Sequence, residues 1–273
     1  MPELDEVSYS RDACITAVRD YYEFLTKVYL KESQIIEPPE GGWPSIVNAD
    51  PSVLESLGKT DEVISLLAHL PYLRHPGNWN DDAHGAAEGY FADWQGLFLH
   101  LATGRSTTEN IRGYTEEHLT EVVPPHVVGL SGGGLDNPLI LLDTKLGIIH
   151  WRECSDSQRS NPSREPILDH PLDYAPENEV DWRCDSPAWA IADFFELFKD
   201  QFRELNWIPV SPRMVLDSEM PRQQKEHGLI PMVVNIYRQH GWPDLARYQK
   251  DECIAAVRKA LEERYPSAVY FWE

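Results

Sequence analysis

The chain has 273 residues, and its 45 Asp and Glu against 24 Lys and Arg give a formal net charge of −21. This length is enough to bury a substantial core as one large domain or two small ones, and nine Trp and twelve Tyr argue against a disordered chain. The charge argues against unaided binding of nucleic acid or of an anionic membrane, because both need a positive surface.

The first predicted element is a helix over residues 10–30. Apolar residues recur there at three- and four-residue spacing, and Ser10 is placed to cap the helix. Residues 37–44, rich in Pro and Gly, then interrupt the helical pattern, because proline restricts φ and glycine allows tight turns. Trp43 in this run is predicted to fold back over the core, and a ligand-contacting Trp is the alternative.

A second helix is predicted to start at Thr60 and to end before Pro71, with acidic residues in its first turn. Residues 75–89 are predicted to be a polar loop. A strand that turns into a short helix is predicted over 90–102. The mostly polar residues 109–120 are predicted to connect over the surface.

The stretch that organises the chain is 126–153, which contains three short runs rich in Val, Ile and Leu. We predict strands at about 126–130, 138–143 and 147–152. The last two form an antiparallel hairpin whose turn places Gly147 at a positive φ. The runs show no clean alternation of apolar and polar residues, which is typical of a sheet covered on both faces.

Residues 154–185 contain four prolines and are predicted to be irregular, although Trp182 near their end indicates docking. Ser186-Pro187 is a strong signal for a helix start. The helix that follows carries the most aromatic face of the chain and is predicted to cover the sheet. Helices at 230–240 and 244–264 complete the chain, and we expect residues 206–273 to form a helical extension that packs against helix 10–30.

No motif in the sequence predicts a metal or a cofactor. The glycine run at 131–134 is not followed by the Lys-Ser/Thr of a phosphate loop, and neither GxSxG nor HExxH occurs. The polar loop does hold metal-capable residue types, but their spacing is irregular; they are His75, Asp81, Asp82, His84 and Glu88. His150 is predicted to be a hydrogen-bonded core residue, with a catalytic role as the less favoured alternative.

Two carboxylate pairs lie one helical turn apart, Asp20 with Glu23 and Asp193 with Glu196. This spacing puts both groups of a pair on one face, as acid–base chemistry or cation binding requires. The same DxxE pattern is associated with fungal arginine-containing cyclodipeptide synthases, so a tRNA-dependent enzyme is the alternative function. The candidate binding residues are Trp43, Tyr90, Asp93, Trp94, Asp143 and Trp151.

The four cysteines show neither a CxxC pair nor a zinc-like spacing. Reduced thiols in a soluble cytoplasmic protein are therefore expected, with the nucleus as the second compartment. No run approaches the ~20 apolar residues of a membrane span.

The chain resembles the SUKH-type superfamily, which includes fungal cell-wall-assembly regulators and bacterial toxin-immunity proteins. The similar features are Leu70-Pro71, the Gly-rich turn before strand 139–143, the strand 147–151, and a closing helix with Asp193-Phe-Phe-Glu196. The resemblance covers residues 60–205, and the segment 37–44 also resembles fungal proteins. The SUKH-type resemblance implies an α+β fold and a protein-binding, regulatory or immunity role without catalysis.

We therefore predict a single α+β domain over 1–273, with a central, mainly antiparallel sheet covered by amphipathic helices and with helical segments at both ends. The predicted function is a non-catalytic interaction module. It would present exposed Trp43 and Trp94 on an acidic surface to a basic protein partner, and a small-molecule ligand is left open. An enzyme would instead need a pocket around Asp93, Asp143 and His150.

Overall fold

The computed structural model describes residues 1–73, 83–133, 137–219 and 228–266, and it has an α+β fold. The helices, in chain order, are α1 (Arg11–Val28), α2 (Pro44–Val47), α3 (Pro51–Leu57), α4 (Asp61–His69), α5 (Trp94–Ala102), α6 (Thr108–Glu116), α7 (Asp156–Arg159), α8 (Pro171–Tyr174), α9 (Val180–Cys184), α10 (Ile191–Arg203), α11 (Leu229–Gln239) and α12 (Lys250–Arg264). The strands are β1 (Ile35–Ile36), β2 (Tyr72–Leu73), β3 (His84–Ala86), β4 (Gly89–Tyr90), β5 (Val127–Gly129), β6 (Ile140–Asp143), β7 (Ile148–Trp151), β8 (Ala188–Ala190), β9 (Trp207–Ser211) and β10 (Met214–Asp217).

The chain divides into two compact units. The first unit comprises Met1–Asp20, Ile36–Tyr72 and Gly89–Leu197. The second comprises Tyr21–Ile35, Leu73–Glu88 and Phe198–Glu273.

A four-stranded antiparallel sheet in the order β5-β6-β7-β8 is the centre of the first unit. The three strands predicted from the sequence are confirmed as β5, β6 and β7. The tight turn between β6 and β7 is confirmed too, with Gly147 at φ 76°. A Cβ on Gly147 would lie 2.6 Å from the carbonyl carbon of Ser8, so both the turn and this close approach require glycine.

Both faces of this sheet are covered, as the continuous apolar runs predicted. Pairing of Leu141 with His150 across β6 and β7 places the two on one face. That face carries a cluster of six buried apolar residues, namely Leu119, Val123, Val127, Leu139, Leu141 and Trp182. On the opposite face, Trp151 packs edge-on to Phe194 of α10, with 6.3 Å between ring centroids.

Several predicted helix starts are confirmed by their caps. The hydroxyl of Ser10 accepts a hydrogen bond from the amide of Ala13 at 3.3 Å, at the start of α1. The hydroxyl of Thr60 accepts a hydrogen bond from the amide of Val63, also at 3.3 Å, at the start of α4. The predicted strand-then-helix over 90–102 is present as β4 and α5.

The predictions for residues 109–120 and for Ser186-Pro187 were wrong. Residues 109–120 are not a surface connection, because Thr107 caps α6 by accepting from Asn110, and this helix buries Ile111, Thr115 and Glu116. The Ser186-Pro187 signal does not start a helix either. The chain first forms β8, whose Trp189 pairs with Ile149 of β7, and α10 begins only at Ile191. Pairing with an exposed sheet edge prevailed over the local helix signal.

The proline-rich segment 154–185 contains only three short helices, α7, α8 and α9. Trp182, whose position indicated docking, is 3% exposed and belongs to the apolar cluster on the sheet. The segment is therefore irregular in backbone and anchored at its end.

In the second unit, the C-terminal end of α10 packs on the hairpin of β9 and β10, so residues 206–273, expected to be a helical extension, also contain strands. Phe198 and Phe202 are fully buried and contact Trp207 edge-on, with ring centroids 4.7 and 5.5 Å apart. The C-terminal segment also contacts the end of the first helix. Lys250 donates to the carbonyls of Thr26 at 2.9 Å and Leu30 at 3.1 Å.

Candidate functional site

The predicted site residues that the structure brings together are Asp143 of β6 and His150 of β7, on one face of the sheet. Asp143 is fully buried and His150 is 1% exposed. Two residues that the sequence reasoning missed, Glu179 and Arg183, reach them from the start and the body of α9. We call these four residues the Arg183 cluster.

The guanidinium of Arg183 is the centre of this cluster. Its Nη2 donates to the carboxylates of Asp143 and Glu179, both at 2.8 Å, and its Nε donates to Glu179 at 2.9 Å. Its Nη1 donates to Nε2 of His150 at 3.0 Å. Burial lowers the pKa of Arg183, but the two carboxylates outweigh burial and raise it. A single fixed cation thus holds two buried carboxylates and an imidazole.

His150 is neutral in this arrangement. Since arginine can only donate, Nε2 of His150 accepts from it, and the ring proton is on Nδ1, which donates to the carbonyl of Ser186 at 2.9 Å. Burial, reinforced by the charge of Arg183, lowers the pKa of His150 to about 4. Both ring nitrogens are therefore engaged at neutral pH.

Asp143 also organises the β6–β7 turn. Its Oδ1 accepts from the amides of Lys145 and Leu146 at 2.9 Å, while Oδ2 faces Arg183. Nε2 of His126 lies 3.8 Å from the same Oδ2. The pKa of His126 is lowered by partial burial, against the opposing effect of the Asp143 charge. The carboxylate thus links the turn, the sheet and α9.

Aromatic rings enclose the guanidinium. Its central carbon lies 4.5 Å from the centroid of the Trp182 ring and 5.9 Å from that of Tyr174, which are cation–π distances. The Trp182 ring is also edge-on to His150, with 5.0 Å between centroids. The cation thus contacts two aromatic rings as well as the carboxylates.

The Arg183 cluster suits structural rather than catalytic work. A general base or nucleophile must have a lone pair available for substrate, whereas the imidazole is hydrogen-bonded at both nitrogens and each Asp143 oxygen already accepts bonds. A buried ion pair of this kind fixes which segments meet. Here it fixes segment 154–185 on the sheet.

A second buried ionic group lies beside strand β5. Glu116 of α6 is fully buried and pairs with Lys59 and with Arg112, whose Nε lies 3.1 Å from its Oε2. Burial lowers the pKa of Lys59, against the opposing effect of Glu116. The sequence reasoning missed this group because it treated residues 109–120 as exposed.

Lys59 and Trp94 cap the outer edge of the sheet. The ammonium of Lys59 donates to the carbonyl of Val127 at 2.7 Å, and the indole N–H of Trp94 donates to that of Gly129 at 2.9 Å. On the other edge strand, the carbonyl of Ala188 accepts from the amide of Ile167 at 2.7 Å. These carbonyls are the groups that an added strand would use, so strand addition is a poor binding mode here.

Trp43 folds back over the core as predicted, whereas the expectation that Trp43 and Trp94 would be exposed for a partner is wrong. Trp43 is 7% exposed and donates to the carbonyl of Leu70 at 2.8 Å, and Trp94 is 1% exposed because its indole caps strand β5. Both side chains fill the core and satisfy backbone carbonyls, as buried indoles usually do. Neither is available to a partner on the surface.

The other candidate binding residues have described partners outside the Arg183 cluster. Asp93 caps α5 by accepting from the amide of Gly96 at 3.0 Å. The amide of Tyr90 donates to the side chain of Asn137 at 2.7 Å. Trp151 is buried on the opposite face of the sheet. Of the three groups named for the enzyme alternative, the structure brings Asp143 and His150 onto one face of the sheet.

The helical carboxylate pairs are partly or fully exposed. Asp20 and Glu23 are exposed on α1, and Asp193 and Glu196 are half-buried on α10. Glu196 lies 3.8 Å from Nη2 of Arg164.

Of the metal-capable loop, His75, Asp81 and Asp82 lie outside the described residues. Burial lowers the pKa of His84 to about 4, and Glu88 has a positive φ of 52°. Over the ranges that the structure describes, no three His, Cys, Asp or Glu side chains converge as metal ligands do.

Among the described helices, none combines the length and the apolar character needed to cross a membrane. Comparisons of the chain with protein-family models, with curated proteins and with solved structures gave no match.

Proposed function

We propose that the protein is a non-catalytic interaction module that binds a basic protein partner through an acidic surface. The observation that carries the proposal is the Arg183 cluster. Its side chains form hydrogen bonds with one another and with the backbone. They therefore stabilise the fold and leave no reactive group for a substrate.

The charge of the chain supports the choice of partner. A formal charge of −21 favours encounter with a basic surface and repels nucleic acid and anionic lipid. The suggested SUKH-type relationship, with its regulatory and immunity members, implies the same class of function. The four cysteines are free thiols, two of them buried, which is compatible with a reducing compartment, and we propose the cytoplasm or the nucleus.

The test is affinity capture from cell extract at about 0.05 M and about 0.5 M salt, followed by identification of proteins and small molecules. We expect a basic protein that is retained at low salt and released at high salt, because the screening length of exposed charges falls from about 14 Å to about 4 Å over that range. Salt-insensitive retention, or retention of a small molecule alone, would contradict the proposal.

The tRNA-dependent synthase is separated from this proposal by fluorescence anisotropy with bulk tRNA. We expect no measurable binding at about 0.15 M salt, since nucleic-acid affinity depends mainly on Lys and Arg at phosphates. Salt-sensitive micromolar binding of tRNA would overturn the interaction module and favour the synthase.

A further inference from the structure

Two leucines of the proline-rich segment are exposed to solvent. Leu172 is 69% exposed, which is the largest value for a big apolar side chain among the described residues, and Leu168 is 52% exposed. They are four residues apart, so at most ~14 Å separates their Cα atoms. One helix or loop of a partner can therefore contact both.

The two leucines lie in a stretch of the sequence whose only fully charged side chains are acidic. Residues 165–182 contain six Asp and Glu and no Lys or Arg. Asp173, Glu177 and Asp181 are exposed. We call the exposed side chains of residues 168–181 the leucine–acid surface.

This surface is held in place before any partner binds. The amide of Leu168 donates to the carbonyl of Pro2 at 2.9 Å, and the Asp169 carboxylate accepts from the amide of Leu4 at 2.8 Å. At the other end, Glu179 is fixed by Arg183 of the cluster. A surface whose backbone is already ordered loses less conformational entropy on binding than a free loop.

We propose that the leucine–acid surface is the docking site for a basic, amphipathic segment of a partner protein. This inference rests on the proposed function and names its site. Leu168 and Leu172 contact apolar side chains of the partner, and the carboxylates face Lys or Arg that flank them. Burial of the leucines supplies affinity, and the charges supply association rate and selectivity. A membrane is a poor occupant because its anionic headgroups are repelled by the same carboxylates.

The test uses a synthetic helical peptide of Leu and Lys as the probe, with binding followed by fluorescence anisotropy at about 0.15 M salt. We expect the intact protein to bind it and the double variant Leu168→Ser/Leu172→Ser to bind at least about tenfold more weakly, since apolar anchors dominate such interfaces. The matched control is Val47→Ser/Leu99→Ser, which removes two aliphatic side chains that are 53% and 43% exposed elsewhere in the same unit.

A second probe, with Ser in place of each Leu, separates charge from apolar contact. We expect it to bind weakly and to be insensitive to the leucine substitutions, whereas Asp173→Asn/Glu177→Gln should weaken binding of the Leu-Lys peptide. The inference is overturned if the intact protein does not bind the Leu-Lys peptide, or if the control double variant loses as much affinity as the leucine variant. Circular dichroism of each variant excludes unfolding as the cause.

The same variants distinguish this inference from the proposed function. If a basic protein is captured from extract equally by the intact protein and by Leu168→Ser/Leu172→Ser, the function stands and the site is wrong. If no basic protein is captured, the function itself fails.

Discussion

Replacement of Arg183 by Met tests whether the Arg183 cluster holds the first unit together. The variant removes the cation while leaving the carboxylates of Asp143 and Glu179 buried, where they were hydrogen-bonded at 2.8–2.9 Å. Breaking a buried ion pair from one side costs about 3–5 kcal/mol, because the remaining charge has lost its partner. We expect a loss of stability of that size.

The magnitude is checked by urea denaturation, followed by far-UV circular dichroism and Trp fluorescence. The midpoint should fall while the m-value stays constant, since the same surface is exposed on unfolding. Arg258→Met is the matched control, because this arginine is 62% exposed and pairs with Glu262 one helical turn away. Exposed pairs of this kind contribute only about 0.3–0.5 kcal/mol.

A triple variant tests whether the lost stability comes from the buried carboxylates that Arg183→Met leaves without a partner. Asp143→Asn and Glu179→Gln, combined with Arg183→Met, remove the stranded carboxylates and should regain more than about 1 kcal/mol relative to Arg183→Met alone. The reasoning is refuted if Arg183→Met loses less than about 1 kcal/mol, or if the triple variant is the least stable of the set.

Three further predictions concern stability. The unfolded chain takes up a proton at the usual histidine pKa of about 6.5, whereas folded His150 does so only at about 4, so His150 alone should lower the free energy of unfolding by about 3 kcal/mol from pH 7 to pH 4. His84 has a pKa of about 4 as well, so urea titrations of His150→Gln across this range should show a shallower slope, and an unchanged slope would contradict the assignment. Phe195→Ala and Phe198→Ala should each cost about 3–5 kcal/mol in urea denaturation because both rings are at most 1% exposed, and a loss under about 1 kcal/mol would argue against their place in the core. Thermal melting should be the same with and without reductant because all four cysteines are free thiols, whereas a drop of many degrees under reductant would reveal a disulfide.

The β6–β7 hairpin could be predicted because its signals are local. Two apolar runs flank a turn with Gly147, and both the pairing and the positive φ follow from those few residues. Strand β8 could not be predicted this way. Its residues 188–190 follow a strong helix signal, and they become a strand only because β7 offers an open edge that is distant in sequence.

The Arg183 cluster was half predictable. Asp143 and His150 were candidates because they lie on predicted strands, but Glu179 and Arg183 lie in a segment that looked irregular. Their i, i+4 spacing beside a Trp was the available signal, since it places carboxylate and guanidinium on one face of a helical turn. What the sequence could not supply is the long-range register that brings this turn to Asp143.

The capped edge of strand β5 has a consequence for how the protein would aggregate. As long as Lys59 and Trp94 occupy the carbonyls of Val127 and Gly129, a strand from another molecule finds no acceptor there. Both caps come from outside the sheet, Lys59 from the turn before α4 and Trp94 from the first residue of α5. Partial detachment of these helices would uncover an apolar strand that is still paired to β6, which is a ready template for intermolecular sheets. We therefore expect the aggregation-prone species to be one with an intact sheet and detached helices.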